Sequence, residues 1–254
     1  MTNKTALILG ANSDIAKSLI YIFAENKLNL ILTARNLDQI KTLKSDLEIK
    51  FDIKVQNVNF DILNTEGHLS FYKSLDITPD VVVDAIGVLG NQKKAFESFE
   101  YSKNIIDSNL TSHISILDII ANDMKDKNSK LEDKKEYSII GIGSVAGDAG
   151  RPDNYTYGAA KAGYSIYLSG LRTFLKKYNI HVLTVKPGVI ATKMTADLSF
   201  PSLIVAKPEK VAKAIFKAYK KSKAVIYTPK YWKIIMGVIK FLPERVFVKV
   251  FSVK

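Results

Sequence analysis

The segment TALILGANSDIA, residues 5–16, joins a short apolar run to a glycine turn and then to a helix-like stretch. The apolar residues from Ala6 to Leu9 predict a buried strand, and Gly10 would permit a tight turn out of it. A helix that begins near Asp14 would aim its backbone N–H groups at the turn, as in sites that bind a pyrophosphate. Taken alone, the segment fits a plain strand-to-helix connection equally well.

The same alternation of apolar runs and polar, helix-period stretches continues along the chain. Further strand-like runs are LNLILTA, IKVQNVNF, DVVVDAIG, EYSIIGIGS, IHVLTVKPG and AVIYTP. Apolar strands separated by helices predict a parallel sheet that is covered on both faces. We therefore predict a doubly wound α/β fold of the Rossmann type with about seven strands. One domain would span residues 1–229, and residues 230–254 would form an apolar and basic C-terminal tail.

Composition restricts the chemistry that this chain can perform. The chain has 254 residues and no cysteine, which excludes disulfides and thiolate ligands or nucleophiles. Its histidines, His68, His113 and His181, are scattered, so we expect no metal site. The formal net charge is +12, but the lysines that carry it are dispersed, so we expect no nucleic acid partner.

The N-terminus carries no apolar core of signal-peptide length, and no run of about 18 apolar residues occurs anywhere. The sequence therefore predicts a cytoplasmic protein. The stretch YWKIIMGVIKFLPERVFVKV, residues 231–250, is apolar and aromatic with interspersed lysines, and it breaks at Pro243. This pattern predicts two short segments that lie peripherally on the inner face of the membrane, or that contact another subunit.

Ligands of a doubly wound sheet bind beyond the carboxyl ends of its strands. No Asp or Glu stands at the end of the second strand, where Arg35 could pair with a 2′-phosphate, so NADP(H) is favoured and NAD(H) is the second candidate. An exposed arginine at a strand end is the alternative interpretation. The candidate cofactor residues are Gly10, Asn12, Ser13, Asp14, Ile15, Arg35, Asp61, Ala85, Ile86, Gly87, Lys161, Pro187, Gly188, Ile190 and Thr192.

The stretch SVAGDAGRPDNYTYGAAKAG, residues 144–163, carries the candidate catalytic groups. Tyr157 and Lys161 are four residues apart on a predicted helix and so share one face. An ammonium beside a phenol would bring the phenol pKa toward neutrality and make Tyr157 a usable general acid and base. Ser144 would lie at the same edge of the sheet, where it could hydrogen-bond a carbonyl oxygen. Tyr155 is the rival tyrosine, but it lacks a lysine at this spacing.

Taken together, the chain resembles the short-chain dehydrogenase/reductase family over nearly its whole length. The matching features are GANSDIA, DAIG, Asn109, Ser144, YGAAK and VKPGVIATKM, although Asp14 and Ala16 stand where the family usually has glycine. The resemblance implies hydride transfer to or from a carbon that bears oxygen, and a homodimer or homotetramer. It also implies that Asn109 holds a helix bulge and a water of the proton relay, that Lys161 binds the nicotinamide ribose, and that the Pro-Gly turn with Thr192 cradles the nicotinamide. An ordinary helix-face amide is the alternative for Asn109.

The strings SVAGD, GRPDNYTYGAAKAG and KPGVIATKMT, with the acidic residue at Asp14, look like the decaprenylphosphoryl-2-keto-ribose reductase branch of that family. This finer resemblance implies a ketosugar on a polyprenyl phosphate as substrate and a partner oxidase that supplies the ketone. The alternative is a soluble carbonyl, 3-oxoacyl or steroid-type reductase with an oligomerisation tail. A non-catalytic nucleotide-binding module is disfavoured, because each catalytic position is filled.

Overall fold

A single parallel sheet organises the structure, a computed structural model that describes residues 4–196 and 201–252. Its strands pair in the order β3-β2-β1-β4-β5-β6-β7. They are β1 (Thr5–Leu9), β2 (Asn29–Ala34), β3 (Val55–Asn59), β4 (Val81–Asp84), β5 (Tyr137–Ile142), β6 (Ile180–Pro187) and β7 (Val225–Thr228). The chain order reverses between β1 and β4, which opens a crevice at the carboxyl edge there. The predicted doubly wound sheet is confirmed.

Helices cover both faces of this sheet. They are α1 (Asp14–Glu25), α2 (Asp38–Phe51), α3 (His68–Lys73), α4 (Gln92–Glu97), α5 (Phe99–Ile106), α6 (Ser112–Ser129), α7 (Tyr155–Leu175), α8 (Pro208–Lys220), α9 (Tyr231–Lys240) and α10 (Glu244–Phe251). One apolar core lies under α1, α2 and α8, and a second lies under α3, α6 and α7. Because both faces are covered, β4 and β5 are buried along their whole length, which explains their continuous apolar sequences.

The C-terminal segment forms two helices that are separated at Pro243, as the sequence predicts. Trp232 and Met236 of α9 are buried against Val145, so this helix packs onto the domain. In contrast, α10 buries none of its residues. Within the residues described, no helix combines the length and the apolar character needed to cross a bilayer.

Candidate active site

The turn after β1 is shaped by its glycine. Gly10 has φ +84°, a conformation that L side chains rarely adopt, and a Cβ there would lie 2.7 Å from the Ile86 side chain. Its N–H donates to Thr33 Oγ1 at 3.2 Å. The backbone therefore passes close to the end of β4, and α1 begins at Asp14 with its N-terminus at the crevice.

A cavity of about 570 Å³ occupies the carboxyl edge of the sheet. Every residue that the sequence proposed for cofactor binding lines it, as do Ser144 and Tyr157. These cofactor candidates are Gly10, Asn12, Ser13, Asp14, Ile15, Arg35, Asp61, Ala85, Ile86, Gly87, Lys161, Pro187, Gly188, Ile190 and Thr192. The fold thus gathers onto one surface residues that are widely separated along the chain.

Asp14 stands at the start of α1, and its carboxylate contacts the segment that follows β6. Asp14 Oδ2 accepts a hydrogen bond from the backbone N–H of Lys193 at 2.8 Å. This bond ties the start of α1 to the segment that follows β6. Ala16, which stands where the family usually has glycine, is fully buried and allows α1 to pack closely.

Arg35 lies just past β2, where its exposed side chain lines the cavity. Its backbone carbonyl accepts a hydrogen bond from Asn59 Nδ2 at 2.7 Å, which anchors the tip of the strand. Asp61 lines the same end of the cavity, and its Oδ1 accepts the Leu63 backbone N–H at 3.1 Å. A cation and a carboxylate therefore flank this end of the cavity.

The catalytic candidates meet at the other end of the cavity. Tyr157 and Lys161 lie one turn apart on α7 and are 8% and 2% exposed. Ser144 follows β5, and its Oγ accepts the Ala146 backbone N–H at 3.1 Å. Tyr155 is 43% exposed and does not line the cavity, so the structure separates the two rival tyrosines.

The protonation of this pair differs from the sequence expectation. Burial raises the pKa of Tyr157 to about 12, although the Ser144 hydroxyl and the charge of Arg151 oppose the shift. The predicted lowering toward neutrality is therefore wrong for this arrangement, because the loss of hydration destabilises the phenolate more than its neighbours stabilise it. Tyr157 holds its proton at neutral pH.

Lys161 is buried beside this phenol. Burial lowers the pKa of Lys161 to about 8, against the opposing charge of Asp84. Its Nζ donates to the Ile142 carbonyl oxygen at 3.3 Å and lies 5.9 Å from the centre of the Tyr157 ring. The two shifts have a common cause, because burial disfavours the charged form of each group.

Asn109 lies in a π-helical turn, Asp107–Thr111, between α5 and α6. It is fully buried, and its Nδ2 donates to the carbonyl oxygens of Val88 and Ile105 at 2.7 and 2.8 Å. Its Oδ1 accepts the Val88 N–H at 3.2 Å. The expected helix bulge is present, and Asn109 is not a solvent-facing helix amide. It does not line the cavity but braces the segment that follows β4.

Several residues that line the cavity were not predicted from the sequence, and two of them, Trp232 and Arg151, lie beside predicted site residues. Trp232 of α9 lies against Gly188, and Arg151 lies near Tyr157. Arg151 could have been predicted from the sequence, because arginine is rare in this chain and Arg151 lies within the stretch of residues 144–163 that carries the catalytic candidates. Trp232 had no such signal, because its sequence neighbours are those of an amphipathic tail.

These features agree with known proteins. A model of the short chain dehydrogenase family matches residues 4–201. The chain belongs to this short-chain dehydrogenase family. As a member, it is an NAD(P)-dependent oxidoreductase. An uncharacterized oxidoreductase of Myxococcus xanthus is 24% identical over 97% of this chain and 96% of its own length. A 3-oxoacyl-[acyl-carrier-protein] reductase of Chlamydia muridarum is 28% identical over 78% of this chain and 79% of its own.

Among solved structures, a short-chain dehydrogenase from Sphingobium yanoikuyae in complex with NADPH superposes with a TM-score of 0.81. It is 21% identical, and the match covers 95% of this chain and 97% of the other. At this identity the likeness shows that the two short-chain dehydrogenases share their fold.

Proposed function

We propose that this short-chain dehydrogenase reduces a ketone with NADPH, using Tyr157 as the proton donor. The observation that carries the proposal is the convergence of Ser144, Tyr157 and Lys161 on the end of the cavity opposite Arg35. When bound, the dinucleotide supplies the hydride. The residues fit it, because the Gly10 turn has no room for a Cβ, α1 starts at the crevice, and Arg35 offers a cation to a 2′-phosphate.

In this reaction Tyr157 donates its phenolic proton to the oxygen of the ketone as that oxygen gains negative charge. Ser144 hydrogen-bonds the same oxygen, and the Lys161 ammonium stabilises the phenolate that Tyr157 becomes. With its pKa raised to about 12 by burial, Tyr157 carries the proton that reduction consumes. Asn109 supports the site by holding the segment after β4.

The test is NADPH oxidation, followed at 340 nm, with the Tyr157→Phe variant. Loss of the hydroxyl should abolish turnover while NADPH still binds, because the rest of the cavity is unchanged. Tyr155→Phe is the matched control, since that tyrosine is 43% exposed and outside the cavity lining. Turnover by Tyr157→Phe at the rate of the control would overturn the assignment.

For the substrate, we propose a ketosugar on a polyprenyl phosphate, with a partner oxidase that produces the ketone. The support is the position of α9, which contacts the cavity through Trp232 on one side and exposes Ile234 and Val238, 72% and 59%, on the other. The alternative is a soluble carbonyl or 3-oxoacyl substrate, which the named function of the Chlamydia relative favours. Turnover of a polyprenyl-phosphoryl ketosugar compared with a 3-oxoacyl thioester separates the two.

A lipid substrate would suit a protein that lies on a membrane, and we propose that α9 and α10 contact an anionic bilayer. Phe241 is 90% exposed at the junction of the two helices. Residues 230–254 carry six basic side chains and one acidic side chain, which complements anionic headgroups. Because Trp232 belongs to the domain core, the test uses a substitution instead of a truncation.

Phe241→Asp should reduce co-sedimentation with vesicles of anionic lipid, whereas Ile49→Asp should not. Ile49 is a matched control because it is 84% exposed and lies on α2. Equal binding of both variants would refute the membrane contact through Phe241, and equal binding to neutral and anionic vesicles would refute the preference for anionic lipid.

We also propose that the chain forms a homodimer or homotetramer, since Ile166 and Phe174 of α7 are 74% and 53% exposed. Light scattering measures the mass directly.

A further inference from the structure

A buried carboxylate lies at the end of β4, outside the residues that the proposed reaction uses. Asp84 is 1% exposed. Its Oδ2 accepts a hydrogen bond from Tyr164 Oη at 2.5 Å and lies 2.6 Å from His113 Nδ1. His113 belongs to α6 and Tyr164 to α7, and both are fully buried. One oxygen atom thus joins a strand of the sheet to two helices on the same face.

The hydrogen-bond pattern fixes the orientation of the His113 ring. His113 Nδ1 faces the Asp84 carboxylate, and its Nε2 faces the Ser108 carbonyl oxygen at 2.9 Å. Both ring nitrogens therefore have a partner, one on β4 and one in the π-helical turn. The ring ties the Asp84 carboxylate to the turn that carries Asn109.

The environment of Asp84 agrees with an ionised carboxylate. Burial acts to raise its pKa, but the charge and hydrogen bond of His113, the Tyr164 hydroxyl and the Lys161 charge together hold the pKa below its usual value. Its other oxygen, Oδ1, is buried and makes no hydrogen bond. An isolated carboxylate in this place would be costly, so its partners are essential to its charge.

The cluster contacts the elements that carry the catalytic candidates. Ser108, which accepts the His113 hydrogen bond, immediately precedes Asn109 in the π-helical turn. Tyr164 follows Lys161 by one helical turn, and Lys161 Nζ lies 5.3 Å from the centre of the Tyr164 ring. Displacing Asp84 would therefore loosen both the turn that holds Asn109 and the segment of α7 that holds Lys161.

Lys161 also lies within the electrostatic reach of this carboxylate. Burial lowers the pKa of Lys161 to about 8, and the charge of Asp84 opposes the loss of its proton. The titratable and charged groups around this cluster are Asp84 on β4, His113 on α6, Tyr157, Tyr164 and Tyr167 on α7, and Arg151 before α7. Of the groups in this list, Asp84 alone has a carboxylate and can offer Lys161 a negative charge.

We propose that Asp84 is a positioning residue, whose carboxylate, held by His113 and Tyr164, fixes Lys161 and keeps its ammonium charged within the site. This inference rests on the proposed function, in which Lys161 supports Tyr157. It assigns the Asp84, His113 and Tyr164 cluster to the reaction although none of the three touches the reacting atoms.

The first test is the pH profile of kcat for ketone reduction by Asp84→Asn, which keeps the size of the side chain and removes its charge. The alkaline loss of activity should move to lower pH by about one unit, the lower end of the effect of a nearby opposite charge. Asp80→Asn is the control, because Asp80 precedes the same strand at its other end and is 7% exposed. The control should keep the alkaline limb where it is in the unsubstituted protein.

A purely structural role predicts a different result for Asp84→Asn. It would lower kcat by the same factor at every pH and leave the pH of the alkaline loss of activity unchanged. That outcome would overturn the proposal. The conclusion is independent of any loss of thermal stability, because the readout is the position of the limb and not the amount of folded enzyme.

The second test needs no substrate. The chain has three histidines, so ¹⁵N labelling of histidine gives three ring spectra, and His68→Gln and His181→Gln assign them. Asp84→Asn should change the ring signals of His113, whose Nδ1 lies 2.6 Å from Asp84 Oδ2, and leave those of His68 and His181 unchanged. Unchanged His113 signals would mean that the Asp84 carboxylate does not hold this ring and would refute the inference. If no ketone is reduced, the proposed function fails while this spectrum still decides the state of the cluster.

Discussion

Replacing Gly147 by alanine tests how closely the Ser144 turn must approach α7. A Cβ at Gly147 would lie 2.7 Å from the Lys161 carbonyl carbon and from the Ala162 nitrogen, which are backbone atoms of a long helix. Ordinary van der Waals contact begins near 3.4 Å, so the turn must withdraw by about 0.7 Å. The Gly147 N–H donates to the Ser144 carbonyl oxygen at 3.2 Å, so Ser144 should move with it.

The expected cost has two parts. A displacement near 1 Å at a catalytic group costs up to about 100-fold in rate, so we expect kcat to fall by about 10- to 100-fold. Overpacking costs about 1–3 kcal/mol, of which the stiffer unfolded chain of an alanine variant offsets about 0.4–1 kcal/mol. For a chain of this size each kcal/mol lowers Tm by about 2–4 °C.

The assay combines steady-state NADPH oxidation with calorimetric melting. Gly150→Ala is the control, because no atom lies within 4 Å of the position of its Cβ although it belongs to the same segment. If Gly147→Ala matches Gly150→Ala in both kcat and Tm, then the close approach of the turn to α7 does not position Ser144.

Three further predictions follow from the cavity. Arg35→Asp should weaken NADPH relative to NADH by about 10- to 100-fold in kcat/KM, as expected for a lost charge-assisted hydrogen bond, whereas the exposed Arg245→Asp should leave the ratio unchanged. Reductive turnover should decline as pH rises through about 8, because Lys161 loses its charge there while Tyr157, with its pKa raised to about 12, keeps its proton; a decline that starts only above about pH 10 would contradict this order. Gly188→Ala should displace the single tryptophan, Trp232, and shift its emission to the red, and Gly237→Ala, whose Cβ meets nothing within 4 Å, should not.

The protonation of Tyr157 and Lys161 depends on how deeply both groups are buried, and no sequence pattern shows that burial. Their spacing of four residues follows from the helix alone, and so does their shared face. The direction of the pKa shift depends on how much water surrounds each group, and that is set by the strands and loops packed around α7. A spacing argument takes no account of burial, which disfavours the charged form of both groups.

Two contacts illustrate what local sequence cannot show. Asp14 accepts a hydrogen bond from the backbone of Lys193, which is 179 residues away. The sequence places Trp232 in an amphipathic tail, but in the structure its side chain is buried against Gly188. In both cases the partner lies in another element, and only the packing of α1, α9 and the segment after β6 brings the groups together.

By itself, the sequence determined the parallel sheet, its number of strands, the glycine turn and the cofactor candidates that line the cavity. These depend on local periodicity and on the rule that strand ends meet at one edge, so each can be inferred from its own neighbourhood. The tertiary structure alone decided the protonation of Tyr157 and Lys161, the bracing role of Asn109 and the buried contacts of Asp84 with His113 and Tyr164. Those features depend on desolvation and on contacts between distant segments, which arise only when the whole chain is folded.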